Sequence, residues 1–329
     1  MIRRREFISL LGGAAAAWPL AARAQWGTRT PRIGVLAPGR SAGADASLAT
    51  LNSVVTGLRE LGYIEGENIA IERGFGEANA DRLREVAAEF VGHGLDVIVA
   101  LSKTAARPLK QATSVIPVVV VGMADPVADE LVATLARPGG NVTGTTFLGP
   151  ELVAKRLQLL SEVVPQHSRV AVLWHPHAYG DRTMAGMLKE AAHAAQILGM
   201  QLQFLAAASP EDIEGAFSLM TSADALMVFP SPILFAEYGR IASIAGKLPA
   251  IYAAREGAEA GGLMSYGANL PDLARQTALY VDKILKGANP AELPMQQPTK
   301  FELVINLKTA TLGLTITRDF LLIADEVIE

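Results

Sequence analysis

The stretch Arg32-Ile33-Gly34-Val35-Leu36-Ala37-Pro38 decides the fold, because the chain repeats its pattern in Arg169-Val170-Ala171-Val172-Leu173-Trp174-His175-Pro176. Each copy is a short apolar run followed by a proline, and a helical pattern comes after it. Leu61-Gly62 ends the first helical pattern, and Leu198-Gly199 ends the second at the same offset. A continuous apolar run of this length is typical of a parallel strand that is covered on both faces. The repeat therefore predicts two similar lobes.

The rest of the chain alternates between strand and helix patterns in the same way. The sequence predicts strands of the first round at 33–37, 68–75, 96–100, 117–121 and 142–147. It predicts strands of the second round at 170–174, 201–205, 225–229, 249–252, 263–266 and 301–306, followed by a last helical stretch that ends at 325–329. Such alternation implies parallel sheets with right-handed crossover connections.

The fold class that follows is α/β, with two Rossmann-like lobes whose parallel sheets are joined by a hinge of several crossing segments. We expect the first lobe to contain residues 30–146 and 267–290, and the second lobe to contain residues 147–266 and 291–329. In open α/β sheets, ligands bind beyond the carboxyl ends of the strands. The loops that follow the strands of both lobes should therefore face each other across a ligand-binding cleft.

Residues 1–24 have the pattern of an export signal peptide rather than of a folded segment. Arg3-Arg4-Arg5 is a positive start, 7–20 is apolar and rich in alanine, and Ala22-Arg23-Ala24 fits a cleavage site. The run Arg4-Arg5-Glu6-Phe7-Ile8 also fits the twin-arginine export pattern. We therefore expect a periplasmic protein that is not inserted in the membrane after the signal is cleaved.

Composition excludes several classes of protein. The chain contains no cysteine, so neither a disulfide, a lipid anchor on cysteine nor a thiol nucleophile is available. The net charge is −4 and becomes more negative once the predicted signal is removed, which argues against nucleic acid as a partner. Because half of the residues are hydrophobic and only 19% are charged, the chain is expected to be globular.

Two loops of the first lobe offer groups that suit a small charged ligand. Ser102 and Thr104 follow a strand and open a helix, where free backbone N–H groups favour an anion, although Ser102 is also a suitable helix N-cap. Asp125 follows the strand at 117–121 and could pair with a ligand ammonium group, or it could cap the turn before Pro126. Arg40 and Ser41 follow the first strand in a glycine-containing loop of small residues, where they could likewise bind an anion or, for Arg40 in particular, lie in a solvated loop.

The second lobe differs from the first just beyond its repeated strand. His175 and His177 stand two apart, but no third ligand with recognisable metal-site spacing lies nearby, so we expect no metal. Tyr179 is placed to lie over a planar ligand, whereas Trp174 is expected in the core. The expected ligand-binding residues of both lobes are Arg40, Ser41, Ser102, Thr104, Asp125, His175, Tyr179, Ser231, Tyr252 and Glu256.

Several longer segments carry a family resemblance that covers essentially the whole chain. They are the signal at 3–25 and the segments 61–68, 137–144, 259–267 and 297–307. Together they resemble the bacterial ABC-transporter substrate-binding proteins of the tryptophan/tyrosine-uptake (TrpX-like) family. The loop His175-Pro176-His177-Ala178-Tyr179 departs from the Asn-Pro-Asn-Asn-Pro pattern that is common in that family. The identity of the ligand should therefore be sought in this loop.

The resemblance implies a periplasmic binding protein with a type I-like fold, which closes its lobes on a small molecule and delivers it to the membrane subunits of an ABC permease. Some relatives take aromatic amino acids, so an amino acid or an aromatic or carboxylate compound is the expected ligand. We expect a monomer with no cofactor and no enzymatic activity. The alternatives are an exported α/β enzyme that acts in the same cleft, and the sensing core of a transcription regulator. The latter would need an N-terminal helix-turn-helix where the export signal stands.

Overall fold

The repeated apolar stretches become strands inside two separate sheets of the computed structural model. The structure describes residues 29–41, 46–77, 79–164, 168–310, 314 and 316–329. The predicted signal peptide at 1–24 lies outside the described residues. Both sheets are built mainly from parallel strands with helices on their two faces, which confirms the predicted α/β class.

The first lobe is a five-stranded parallel sheet with the order β2-β1-β3-β4-β5. Its strands are β1 (Arg32–Ala37), β2 (Ala70–Phe75), β3 (Val97–Ala100), β4 (Val118–Met123) and β5 (Val142–Thr146). The helices between them are α1 (Ala46–Glu60), α2 (Ala80–Gly92) and α3 (Lys103–Ala112). One face packs on α2 and α3, and the other packs on α1 and on a helix from later in the chain.

The second lobe is a seven-stranded sheet with the order β12-β11-β10-β9-β8-β6-β7. Its strands are β6 (Arg169–Trp174), β7 (Gln201–Ala206), β8 (Ala225–Val228), β9 (Ala250–Tyr252), β10 (Met264–Ala268), β11 (Phe301–Asn306) and β12 (Glu326–Ile328). Its helices are α4 (Glu151–Ser161), α5 (Asp181–Leu198), α6 (Asp212–Ser218), α7 (Pro232–Ala236), α8 (Tyr238–Ala245) and α9 (Arg255–Glu259). The remaining helices are α10 (Leu270–Leu285), a 3₁₀ turn (Pro290–Glu292), α11 (Leu307–Ala310) and α12 (Arg318–Leu322).

The chain passes between the two lobes at three places. It leaves the first sheet after β5, returns after β10 when α10 packs against α1 of the first lobe, and crosses again before β11. The third crossing lies beyond Gln296, whose backbone N–H donates to the carbonyl of Gly144 in β5 (2.8 Å) and whose carbonyl accepts from Thr146 (2.8 Å). Residues 291–296, which the sequence assigns to the second lobe, therefore run beside the first sheet.

The end of the chain differs from the prediction. The last residues form β12, which pairs in parallel with β11, rather than continuing a helix. Val327 and Ile328 can be read as a helical face or as a short strand, and pairing with the free edge of β11 decides between them. The strand β11 itself runs antiparallel to β10, an arrangement that strand patterns alone do not reveal.

Apolar side chains form a core on each face of each sheet, as expected when both faces of a sheet are covered. Among the described residues, no helix combines the length and the apolar character that crossing a membrane requires.

Candidate functional site

A cavity of about 210 Å³ lies between the two lobes, at the carboxyl ends of their parallel strands. The first lobe contributes residues that follow β1, β3, β4 and β5 together with one face of α1. The second lobe contributes residues that follow β6, β8 and β9, and the start of α10 closes the hinge side. This is the edge at which open α/β sheets bind ligands. Of the expected site residues, the structure brings four to the cavity wall, which are Ser102, Thr104, Tyr179 and Glu256.

The start of α3 forms a polar part of the wall on the first lobe. Ser102 is the N-cap of this helix, and its Oγ accepts from the backbone N–H of Ala105 (3.4 Å). Lys103 and Thr104 also line the cavity. Lys103 is buried, and desolvation lowers the pKa of its ammonium group, although the Asp129 carboxylate opposes that shift. Unpaired N–H groups at a helix start and a neighbouring cation both favour a bound anion.

Glu256 contributes the opposite charge from the second lobe. It lies at the start of α9, just after β9, and lines the cavity. Its side chain is accessible to solvent yet has protein on most sides, as expected inside a concave cleft. Desolvation raises the pKa of the Glu256 carboxyl group above its ordinary value of 4.5. A bound cation would restore the stabilisation that this carboxylate loses on leaving bulk water.

Four aromatic side chains also line the cavity, among small and aliphatic residues. Phe147 comes from the first crossing, and Tyr179, Phe235 and Tyr238 come from the second lobe. The rings of Phe147 and Tyr179 lie with their centroids 6.2 Å apart across the two lobes. Tyr179 is held in place because its hydroxyl donates to the carbonyl of Pro230 (2.8 Å). The cavity therefore combines an apolar, aromatic interior with charged groups of opposite sign on facing walls.

Asp125 and Ser231 lie outside the cavity lining and form local hydrogen bonds instead. Asp125 Oδ1 accepts from the backbone N–H groups of Val127 (3.2 Å) and Ala128 (2.9 Å), which is the turn-capping alternative. Ser231 is fully buried, and its Oγ accepts from the N–H of Leu234 (3.1 Å) at the start of α7. Both residues follow strands, as expected, but their side chains accept hydrogen bonds from nearby backbone N–H groups instead of facing the cavity.

The remaining expected residues of the strand ends also lie outside the lining. Arg40 and Ser41 are exposed, and the N–H of Ser41 donates to Glu77 (3.0 Å), while Pro38 of the same loop reaches the cavity. His175 is buried with Nε2 3.1 Å from the carbonyl of Ala208. Within the described part of the chain, no group of three or more His, Cys, Asp or Glu side chains is arranged to hold a metal ion.

Tyr252 is fully buried inside the second lobe rather than on the cavity wall. Its ring packs over Gly257 and Gly262, where any Cβ would overlap it, and meets Tyr238 edge to face at 4.8 Å. Its hydroxyl has no hydrogen-bond partner among the residues that the structure describes.

Tyr252→Phe is therefore expected to leave the free energy of unfolding unchanged or to raise it by up to about 1 kcal/mol, because it removes a buried polar group that forms no bond. Chemical denaturation checks the stability. Retained stability together with weaker binding of the cavity's ligand would show instead that the hydroxyl reaches the ligand.

Arg156 is a charged residue near the site that the sequence analysis did not identify. It is 1% exposed, its Nε donates to the carbonyl of Tyr266 (2.7 Å), and Nη1 has no partner within the described residues. Burial lowers the pKa of its guanidinium group to about 10, while Tyr238, Tyr179 and Tyr266 oppose the shift. A signal was present in the sequence, since Arg156 falls on the apolar face of α4 among Leu152, Val153, Leu157 and Leu160.

The sequence analysis also did not identify Asp129, which follows β4 in the first lobe. Its side chain is completely buried, and Oδ1 accepts from the N–H of Gly180 (2.8 Å) and the hydroxyl of Thr183 (2.9 Å) at the start of α5. The same oxygen lies 3.5 Å from Nζ of Lys103. Since α5 belongs to the second lobe, this carboxylate connects the two lobes beside the cavity.

Comparison with known proteins agrees with this architecture. The family model described as "ABC transporter substrate binding protein" matches residues 40–328. The tyrosine-binding protein of Clostridioides difficile (strain R20291) is 24% identical over 258 residues, which cover 78% of this chain and 73% of that protein.

Two solved structures are similar over most of their length. The crystal structure of an ABC domain from Streptococcus pneumonia in complex with L-Trp is 27% identical, with a TM-score of 0.83 and coverage of 91% of this chain and 100% of that chain. The crystal structure of a conserved domain protein from Vibrio cholerae O1 biovar El Tor is 28% identical, with the same TM-score and the same coverage.

Proposed function

This chain belongs to the family of ABC transporter substrate-binding proteins, and we propose that it captures an aromatic L-amino acid in the cavity between its lobes. The family match confirms the resemblance on which the sequence analysis relied. It favours the receptor over the enzyme that the sequence left as an alternative, because the similar proteins are substrate-binding proteins.

The observation that carries the proposal is the charge pattern of the cavity. Lys103 and the start of α3 stand on one lobe, and Glu256 stands on the other, with aromatic rings between them. An α-amino acid is a zwitterion, so it can present its carboxylate to the positive wall and its ammonium group to the negative wall. We assign its carboxylate to the Ser102–Thr104 segment and its ammonium group to Glu256, where charge-assisted hydrogen bonds are strong.

The size and lining of the cavity support an aromatic side chain on this amino acid. A cavity of roughly 150 Å³ is known to hold benzene, and this one is larger, at about 210 Å³. Phe147, Tyr179, Phe235 and Tyr238 offer ring faces and edges to a planar group. The names of two relatives point to the same class, since one is a tyrosine-binding protein and the other was solved with L-Trp.

Delivery and location follow from the same proposal. The lobes would close by hinge motion on the bound amino acid and present it to the membrane subunits of an ABC permease. Proteins of this family work outside the cytoplasmic membrane, and we propose the periplasm for this one, with export by the predicted signal through the twin-arginine route. We further propose that it acts as a monomer without a cofactor. Fractionation of the native cells tests the location.

Isothermal titration calorimetry of the purified protein tests the ligand class. We expect L-tryptophan or L-tyrosine to bind with a negative heat-capacity change, because apolar surface leaves water. Indole-3-propionate lacks the ammonium group and tryptamine lacks the carboxylate, so each should bind at least about tenfold more weakly. Equal binding of alanine would contradict the aromatic pocket. Accumulation of a product from either amino acid would favour the enzyme instead.

A further inference from the structure

The contact between Asp129 and helix α5 joins the two lobes. Asp129 sits in the loop after β4, in the first lobe, whereas Gly180 and Thr183 form the first turn of α5, in the second. Gly180 is the N-cap residue and has no side chain with which to cap the helix. The carboxylate from the opposite lobe therefore supplies the cap that the second lobe lacks.

The local packing indicates that this contact is specific. A Cβ on Gly180 would stand 2.5 Å from Asp129 Oδ1, so only glycine lets the carboxylate approach the helix end. Thr183 is 1% exposed, and the Asp129 side chain is fully buried. A carboxylate at the N-terminus of an 18-residue helix is favoured by the unpaired N–H groups and by the helix dipole. Separating the lobes would expose both partners to water and end the interaction.

The same carboxylate is joined to the ligand cavity. Lys103 Nζ lies 3.5 Å from Asp129 Oδ1, and Lys103 lines the cavity. On the other lobe, Ala178 and Tyr179 line the cavity and directly precede Gly180. The groups that contact a bound molecule on each lobe are thus adjacent to the groups that hold the lobes together.

We propose that Asp129 is the interlobe latch, a carboxylate of the first lobe that caps α5 of the second lobe in the closed state and connects this contact to the cavity through Lys103. This inference rests on the proposed function for the identity of the bound molecule, but not for the closure itself. Oδ2 of Asp129 has no hydrogen-bond partner within the described residues. The contacts of this carboxylate therefore go to the other lobe and to Lys103.

The test measures lobe closure separately from binding. The chain has no cysteine, so spin labels on Val115→Cys and Ile197→Cys, which are exposed positions on different lobes, report one distance distribution. We would compare Asp129→Ala and Thr183→Val with the matched control Glu130→Gln. Glu130 also faces α5, through an exposed 3.5 Å pair with Arg182 that should contribute little.

For Asp129→Ala we expect L-tryptophan or L-tyrosine to bind about tenfold to a hundredfold more weakly, with a smaller closed fraction at saturation. Thr183→Val should change both in the same direction but less, since the N–H of Gly180 remains. It also keeps the test decisive if Asp129→Ala does not fold. Glu130→Gln should match the parent protein.

Unchanged affinity and unchanged distances in both Asp129→Ala and Thr183→Val would overturn the latch. If neither amino acid binds even the parent protein, the proposed function fails. The distance distributions of the unliganded proteins then still test the latch. A closed population in the parent and in Glu130→Gln that Asp129→Ala lacks would support the latch. Identical distributions would refute it.

Discussion

Glu256→Gln is expected to weaken the binding of L-tryptophan or L-tyrosine by roughly tenfold to thirtyfold, a loss of about 1.5–2 kcal/mol. Glu256 is the carboxylate that lines the cavity on the second lobe, and desolvation already disfavours its charged form. A bound ammonium group compensates for that penalty, so removing the charge removes a charge-assisted hydrogen bond inside the cleft. Glutamine keeps the shape and the hydrogen-bonding capacity, which isolates the effect of the charge. Calorimetric titration gives the two affinities.

The same residue predicts a pH dependence. Its pKa in the unliganded protein is raised, and only the ionised carboxylate pairs with an ammonium group. Affinity should therefore be complete at neutral pH and be lost as the pH falls through this raised pKa, at higher pH than for an ordinary glutamate. Glu256→Gln should lack this acid limb. A parent protein whose affinity stays constant from neutral pH to below 4.5 would contradict the assignment.

Two controls separate this role from a general effect of charge near the cleft. Glu259 lies on the same short helix and pairs with Arg255 (3.0 Å) outside the cavity, so Glu259→Gln should leave the affinity unchanged. Indole-3-propionate, which has no ammonium group, should bind the parent protein and Glu256→Gln equally. If Glu256→Gln weakens both compounds to the same extent, the carboxylate organises the pocket rather than binding the ammonium group.

The sequence predicted the scaffold because its signals are local. Apolar runs such as those of β1 and β6 mark buried parallel strands. Ligands of open α/β sheets bind beyond the carboxyl ends of the strands, and Ser102, Thr104, Tyr179 and Glu256 line one cavity there, as this predicts. The terminal strand β12 was missed because two apolar residues fit a helix or a strand until the partner strand is known.

Side-chain direction limited the prediction of the site. Asp125, Ser231 and His175 follow the expected strands, but their polar atoms bond to nearby backbone groups, and nothing in the sequence separates these alternatives. Asp129 was missed for a different reason. Its partners lie in the other lobe, about fifty residues away in the chain, and such contacts depend on how the lobes meet.

Gly267 lies close to the second crossing between the lobes, at the end of β10. Glycine at such a crossing would allow the backbone dihedrals of a hinge to change. The structure places Gly267 inside β10, paired with Glu302 of β11, where the backbone is fixed by the sheet. A Cβ at this position would overlap the carbonyl oxygen of Ala253. The glycine is required for close approach of the backbone rather than for flexibility.

Gly267→Ala is therefore expected to lower the free energy of unfolding by about 3 kcal/mol or more, because a backbone carbonyl cannot rotate away as a side chain does. The displaced segment, Ala253–Ala254, leads directly into α9, so amino-acid affinity should fall with stability through the movement of Glu256. The matched control is Gly186→Ala in α5, where a Cβ would meet nothing within 4 Å. This substitution should raise the free energy of unfolding by about 0.5–1 kcal/mol, because alanine favours the helix over glycine. Urea denaturation of the parent protein, Gly267→Ala and Gly186→Ala measures the two changes in stability, and calorimetric titration measures the affinity. A Gly267→Ala protein as stable as the parent would show that β10 can move away from Ala253, and would return Gly267 to the role of a flexible hinge.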